Sequence, residues 1–156
     1  MSQAKLLGSM LRRIQSGDAW HGPSASELLD GVTAEEAAQV PIQGSHSIWV
    51  LVRHIAAWRN AALRALDGQA LAELPDEQNF PPVESVTSEA WQAARDELDA
   101  SAADLTGAIA KLSDEQLAQP SPGQRFPLVG LLHVVLQHDT YHLGQIALSK
   151  KLVWQN

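Results

Sequence analysis

The chain has 156 residues, 45% of them apolar, enough for one hydrophobic core without covalent staples. It contains no Cys, which excludes a disulfide, a thiol nucleophile and a Cys-ligated metal of its own, and fits a reducing compartment. With 11 Lys plus Arg against 18 Asp plus Glu, the net charge is −7 and no basic cluster offsets it, which argues against nucleic acid as a partner.

Apolar residues recur at three- and four-residue spacing through most of the chain, so the class reads as all-α: four long helices in a single domain over residues 1–156. Leu7, Met10, Leu11 and Ile14 form one stripe of the first, which stops near Gly17. Two short helical pieces follow, in the loops: Ser24 caps the segment ending in Leu28 and Leu29, and Thr33 with Glu36 makes a capping box for 34–39. The second long helix runs from about Ile48 to Asp67, capped by Ser47 or Ser45 and ended by Gly68. Residues 68–86 hold Pro75, Pro81, Pro82 and four acidic residues, and read as a long functional or mobile loop without an element of its own. The third helix, from about Ser88 to Leu112, places Trp91, Ala94, Leu98, Leu105, Ile109 and Leu112 on one stripe. Ser113 caps a turn over 114–118, and Pro127 takes the first position of a fourth helix reaching about Lys151. The link of roughly 19 residues between the second and third helices can cross a bundle of about 30 Å, so these two can run parallel. No apolar run is long enough to span a bilayer and the N-terminus lacks a secretory pattern; a soluble cytoplasmic protein with no membrane partner is expected.

The informative segment is HVVLQHDTYHLGQIALSKK, residues 133–151. His138 and His142 stand four residues apart, on one helical face, with Cβ atoms about 5–6 Å from each other. Leu131, Val134, Val135, Gln145 and Ser149 share that face, so the pair projects inward. A bare pair of this kind reads first as a surface pair or as two hydrogen-bonded core residues. His54 changes that, because it lies on an equally apolar stripe with Ser47, Val50, Leu51, Trp58, Ala61 and Ala65. Buried neutral imidazoles without partners leave ring nitrogens unsatisfied, whereas a divalent ion takes one lone pair from each. Antiparallel packing of the two helices brings the three to one level, and three protein ligands leave a position open for water or substrate.

No Asp or Glu lies on either ligand face. Asp139 sits about 100° around the helix from His138, so a protein general base is missing from view and the metal itself is expected to activate water or a thiol. Tyr141 and Gln145, one turn from the ligands, are candidates for orienting a ring or a substrate. His133 reads as exposed or interfacial, and His46 as packing at a helix start. Trp20, Trp49, Trp58 and Trp91 read as core, with Trp58 as a pocket wall. Val129, Leu132, Leu136, Leu143 and Ala147, together with Ile48, Val52, Ile55 and Leu63, form further apolar bands that are either buried or the seam of a homodimer.

The segments WHGPSASELL (20–29), HSIWVLVRHIAAWR (46–59) and HDTYHLGQIAL (138–148) resemble, in order and spacing, the DinB-like (DinB/YfiT) family of four-helix metalloproteins. The resemblance runs from about Trp20 to Lys150. It implies an up-down-down-up bundle with a long crossover between the second and third helices. It also implies one divalent ion, nickel or zinc, on His54, His138 and His142, and places the turn carrying His21 near the pocket mouth as a further candidate. Members are described as metal-dependent hydrolases, and several are similar to enzymes that attach low-molecular-weight thiols such as bacillithiol or mycothiol to electrophiles. The common Asp and Trp after the second helix are replaced here by Asn79-Phe80-Pro81-Pro82. The expected function is a metal-dependent hydrolase or thiol S-transferase acting on a small molecule; the alternative is a noncatalytic metal- and ligand-binding stress-response module.

Overall fold

The sequence places Ser or Thr ahead of most apolar-periodic runs, and these residues start the helices. The computed structural model describes residues 2–154, in which the regular elements are helices: α1 (Gln3–Ser16), α2 (Ala25–Leu29), α3 (Ala34–Ala38), α4 (Ile48–Leu66), α5 (Asp76–Asn79), α6 (Ser88–Ile109), α7 (Asp114–Leu117) and α8 (Leu128–Val153). Ser2, Thr33, Ser47, Thr87 and Ser113 each accept a backbone N–H from the residue three positions on. Such a cap contributes about 0.5–2 kcal/mol. At α2 the arrangement is reversed: the Ser24 N–H and hydroxyl both donate to the Glu27 carboxylate. Gly68 ends α4 with φ +89°, a conformation in which a Cβ would be strained.

The long helices are α1, α4, α6 and α8. Gln3 N–H donates to Asp114 just beyond α6, while Gln15 donates to Asp99 within it, so α1 and α6 are antiparallel. The Trp49 and Trp91 rings meet at 5.1 Å and Arg59 reaches the Leu98 carbonyl, so α4 and α6 are parallel. His54 meets His142, and Trp58, one turn later, meets His138; α4 and α8 are antiparallel. The order is therefore up-down-down-up, with residues 67–87 as the crossover. The core joins Leu7, Leu11, Ile55, Leu98, Leu105, Ile109, Leu131, Leu132 and Ile146, each at most 2% exposed. Burying one such side chain stabilises the fold by about 1.5–3 kcal/mol.

Several expectations are corrected. The crossover contains a one-turn helix, α5, because Pro75 presets its entry and Asp76 and Glu77 favour a first turn. The third long helix stops at Ile109 rather than Leu112, and Pro127 precedes α8 in extended conformation instead of occupying its first position. Trp20 is not core: it stands fully in solvent on the turn after α1. Met10 and Val134, assigned to inward stripes, are 38% and 49% exposed, because no neighbouring helix covers that edge of α1 and α8. Of the bands considered for a dimer seam, Leu132, Leu136, Leu143, Ile48, Val52 and Ile55 are buried within the chain, so they are core. No described helix is long and apolar enough to cross a membrane.

Candidate metal centre

The i,i+4 spacing on α8 and the antiparallel approach of α4 bring three imidazoles to one point. Ring centroids lie 4.8 Å apart for His54 and His138, 4.5 Å for His54 and His142, and 4.5 Å for His138 and His142. One nitrogen from each ring lies within 4.8 Å of the other two. His54 and His142 are buried, and the His138 side chain is 23% exposed.

The far side of each ring meets an acceptor. His54 Nδ1 is 2.5 Å from the Asn79 carbonyl, which can only accept, so Nδ1 carries the proton and Nε2 the lone pair. His142 Nδ1 lies 2.6 Å from Gln145 Oε1, and the Gln145 amide nitrogen donates to the Tyr141 hydroxyl at 3.2 Å, which sets the amide orientation. His138 Nδ1 is 3.5 Å from Asp139 Oδ1. The Nε2 atoms of His54 and His138 consequently face each other at 2.9 Å with no hydrogen required between them. Burial lowers the pKa of His54, and pushes that of His142 down to about 4, so both imidazoles are neutral near pH 7.

These observations fit a divalent ion. A zinc ion would take nitrogens at about 2.0–2.1 Å, so two that shared it would lie about 3–3.4 Å apart, close to the separation of the His54 and His138 Nε2 atoms. Among the described residues no fourth His, Asp or Glu joins the group. The donor set is all imidazole, which suits zinc and nickel without choosing between them.

The crossover supplies a wall. Phe80 stacks on His54 at 4.3 Å with an interplanar angle of 2°, and on its other side against His46 at 3.9 Å and 8°. The Trp58 indole donates to Asn79 Oδ1 at 2.9 Å and borders His54 and His138, as a pocket wall should. The segment that departs from the family pattern thus holds the His54 ring in place.

Asp139 differs most from its sequence reading. It is fully buried, beside His138, and bonded at 2.8 Å to an equally buried Arg59. Arg59 was not among the candidates. Its signal was present: Ile48, Val52, Ile55, Arg59 and Ala62 follow one apolar stripe, and Leu132, Leu136, Asp139, Leu143 and Ile146 another, each interrupted by one charge of opposite sign.

A profile of the DinB superfamily matches residues 20–146. The chain belongs to the DinB superfamily. Comparisons with curated proteins and with solved structures found no match. In this DinB-like chain Tyr141 stands over the site, its ring 5.0 Å from that of His142 and 65% exposed. His21 is not among the ligands; it lines a groove of about 650 Å³ between α1 and α8, with Met10, Ile14, Trp20, Leu136 and Tyr141. His133, exposed, lies on the same groove.

Proposed function

We propose that this DinB-like protein is a divalent-metal-dependent enzyme that acts on a small molecule, as a hydrolase or a thiol S-transferase. One observation carries the reading: three inward imidazole nitrogens converge while the outer nitrogens of all three rings meet acceptors. That arrangement orients lone pairs toward a cation and leaves the ligand count at three, the pattern of open rather than closed sites. When bound, a nickel or zinc ion supplies Lewis-acid activation of water or of a thiol.

The chain's own groups do the rest. Asp139 is sequestered between Arg59 and His138, so it does not face the open side as a general base, and among the described residues no other carboxylate joins the three histidines. Tyr141 offers a hydroxyl beside the ligands, and Gln145 fixes both that hydroxyl and the His142 ring. The groove next to Tyr141 has the size and apolar walls suited to a small ligand with an apolar body. The absence of Cys supports a cytoplasmic location, and also means that any thiol in the reaction belongs to a substrate.

A homodimer is part of the proposal, on a face other than the buried bands. Val134, Tyr141 and Leu148 recur at seven-residue intervals on the outer side of α8 and are 49%, 65% and 53% exposed. The test of function is a panel of esters, amides and thiol-plus-electrophile pairs, assayed after loading with zinc, nickel or manganese. Turnover that disappears in His138→Ala supports the enzyme; bound metal with no turnover on any substrate favours the noncatalytic binding module.

A further inference from the structure

A core of Leu, Ile and Ala admits a charged pair only at a desolvation cost, and replacing such a pair by apolar residues is often neutral or stabilising. Arg59 and Asp139 both have side chains 0% exposed. Stability alone therefore does not account for them. Nor is the guanidinium satisfied to its limit: Arg59 Nη1 donates to Gln15 at 2.6 Å and to the Leu98 carbonyl at 3.3 Å, while Nη2 has no partner. What the pair does accomplish is to fix a carboxylate. Asp139 Oδ2 takes the Arg59 Nε–H at 2.8 Å, which turns Oδ1 to within 3.5 Å of His138 Nδ1. Gln15, bonded in turn to Asp99 at 2.6 Å, holds the far end of the guanidinium.

We propose that Asp139, held by Arg59, is a positioning residue for His138. Its carboxylate favours the Nδ1–H tautomer, which leaves Nε2 free to bind the ion. His54 and His142 are held by a neutral carbonyl and a neutral amide; His138 alone has an anion behind it. The inference rests on the metal reading above and goes beyond it in assigning the role of a buried pair.

The test is zinc affinity, measured by chelator competition on the wild type, on Arg59→Met/Asp139→Leu and on Arg59→Met/Asp139→Asn. Removing both charges together leaves no uncompensated ion, so helical signal and thermal midpoint should be kept. Zinc affinity should nevertheless fall 10- to 100-fold in the Leu variant, the usual consequence of losing an outer-shell partner, and recover in part with Asn, which restores an acceptor. Nitrogen-15 spectra of the zinc-loaded wild type should show His138 protonated at Nδ1. A folded Leu variant that binds zinc as tightly as the wild type overturns the role while leaving the metal site intact. A His138 protonated at Nε2 does the same, whether or not the variants fold. A wild type that binds neither zinc nor nickel sinks the metal reading and this inference together.

Discussion

The Nε2 atoms of His54 and His138 face each other at 2.9 Å, each ring fixed from behind by an acceptor at Nδ1. Two lone pairs at that distance repel, and a shared cation relieves them. A proton serves two rings, whereas a divalent ion serves His142 as well.

Metal addition should therefore stabilise the fold. At a free zinc concentration 100 times Kd, the gain is about 2.7 kcal/mol, which for a chain of this size raises Tm by about 5–10 °C. Differential scanning fluorimetry with zinc, then with excess chelator, measures it. His54→Ala and His142→Ala should each abolish the rise; a shift that survives both places the ion elsewhere.

The metal-free protein should lose stability in mild acid. Burial sets the folded pKa of His142 at about 4 against an ordinary 6.5, and lowers that of His54. Between those values the unfolded chain binds a proton that the folded chain refuses, so the folded state weakens as pH falls. The loss should begin near pH 6.5 and be complete near pH 4. Urea midpoints across that range check the sign, and the slope should shrink in His142→Ala.

Phe80 should matter to the ion although it cannot touch one as a ligand. Its ring is sandwiched between His54 and His46, and ring pairs of this kind are worth about 0.5–1.5 kcal/mol each. Phe80→Ala removes the wall that holds His54 in plane, and zinc affinity should drop about three- to tenfold. His46→Ala, which removes a ring touching Phe80 alone, should have a smaller effect. Chelator competition reads both, and equal effects would deny the sandwich its role.

The helix starts were legible because capping is local: Thr33 with Glu36, Ser47 and Ser113 announce themselves within four residues. The three His were legible for a similar reason, since a 3.6-residue period places His138 beside His142 and puts His54 among inward apolar groups. Met10 and Val134 were misplaced because a helix's own stripe does not say where its neighbours end, and Trp20 because it lies on a turn, where no periodicity reports burial. Asn79 reaches His54 across 25 residues of sequence and Phe80 from the next position, contacts that depend on how the crossover docks and leave no periodicity. The Arg59 and Asp139 pair was legible only by comparing two stripes at once. Each residue alone looks like a break in an apolar band; together they are one buried contact.

A homodimer joined through the outer side of α8 should come apart when that side is charged. Val134, Tyr141 and Leu148 lie at intervals of seven on α8, the spacing that keeps a seam facing a partner helix. A second copy applied through a two-fold axis meets the same residues, so one stripe serves both sides. A stable dimer needs about 800 Å² per partner, more than three side chains supply, so neighbouring groups of α1 such as Met10 must join it, and the groove that Met10 and Tyr141 line then opens at the interface between the two copies. Light scattering should give twice the chain mass for the wild type. Val134→Glu/Leu148→Glu should give the monomer mass with unchanged helicity, because both residues are about half exposed and neither belongs to the buried core. A wild type that runs as a monomer at every concentration, or a double variant that still dimerises, removes this stripe from consideration.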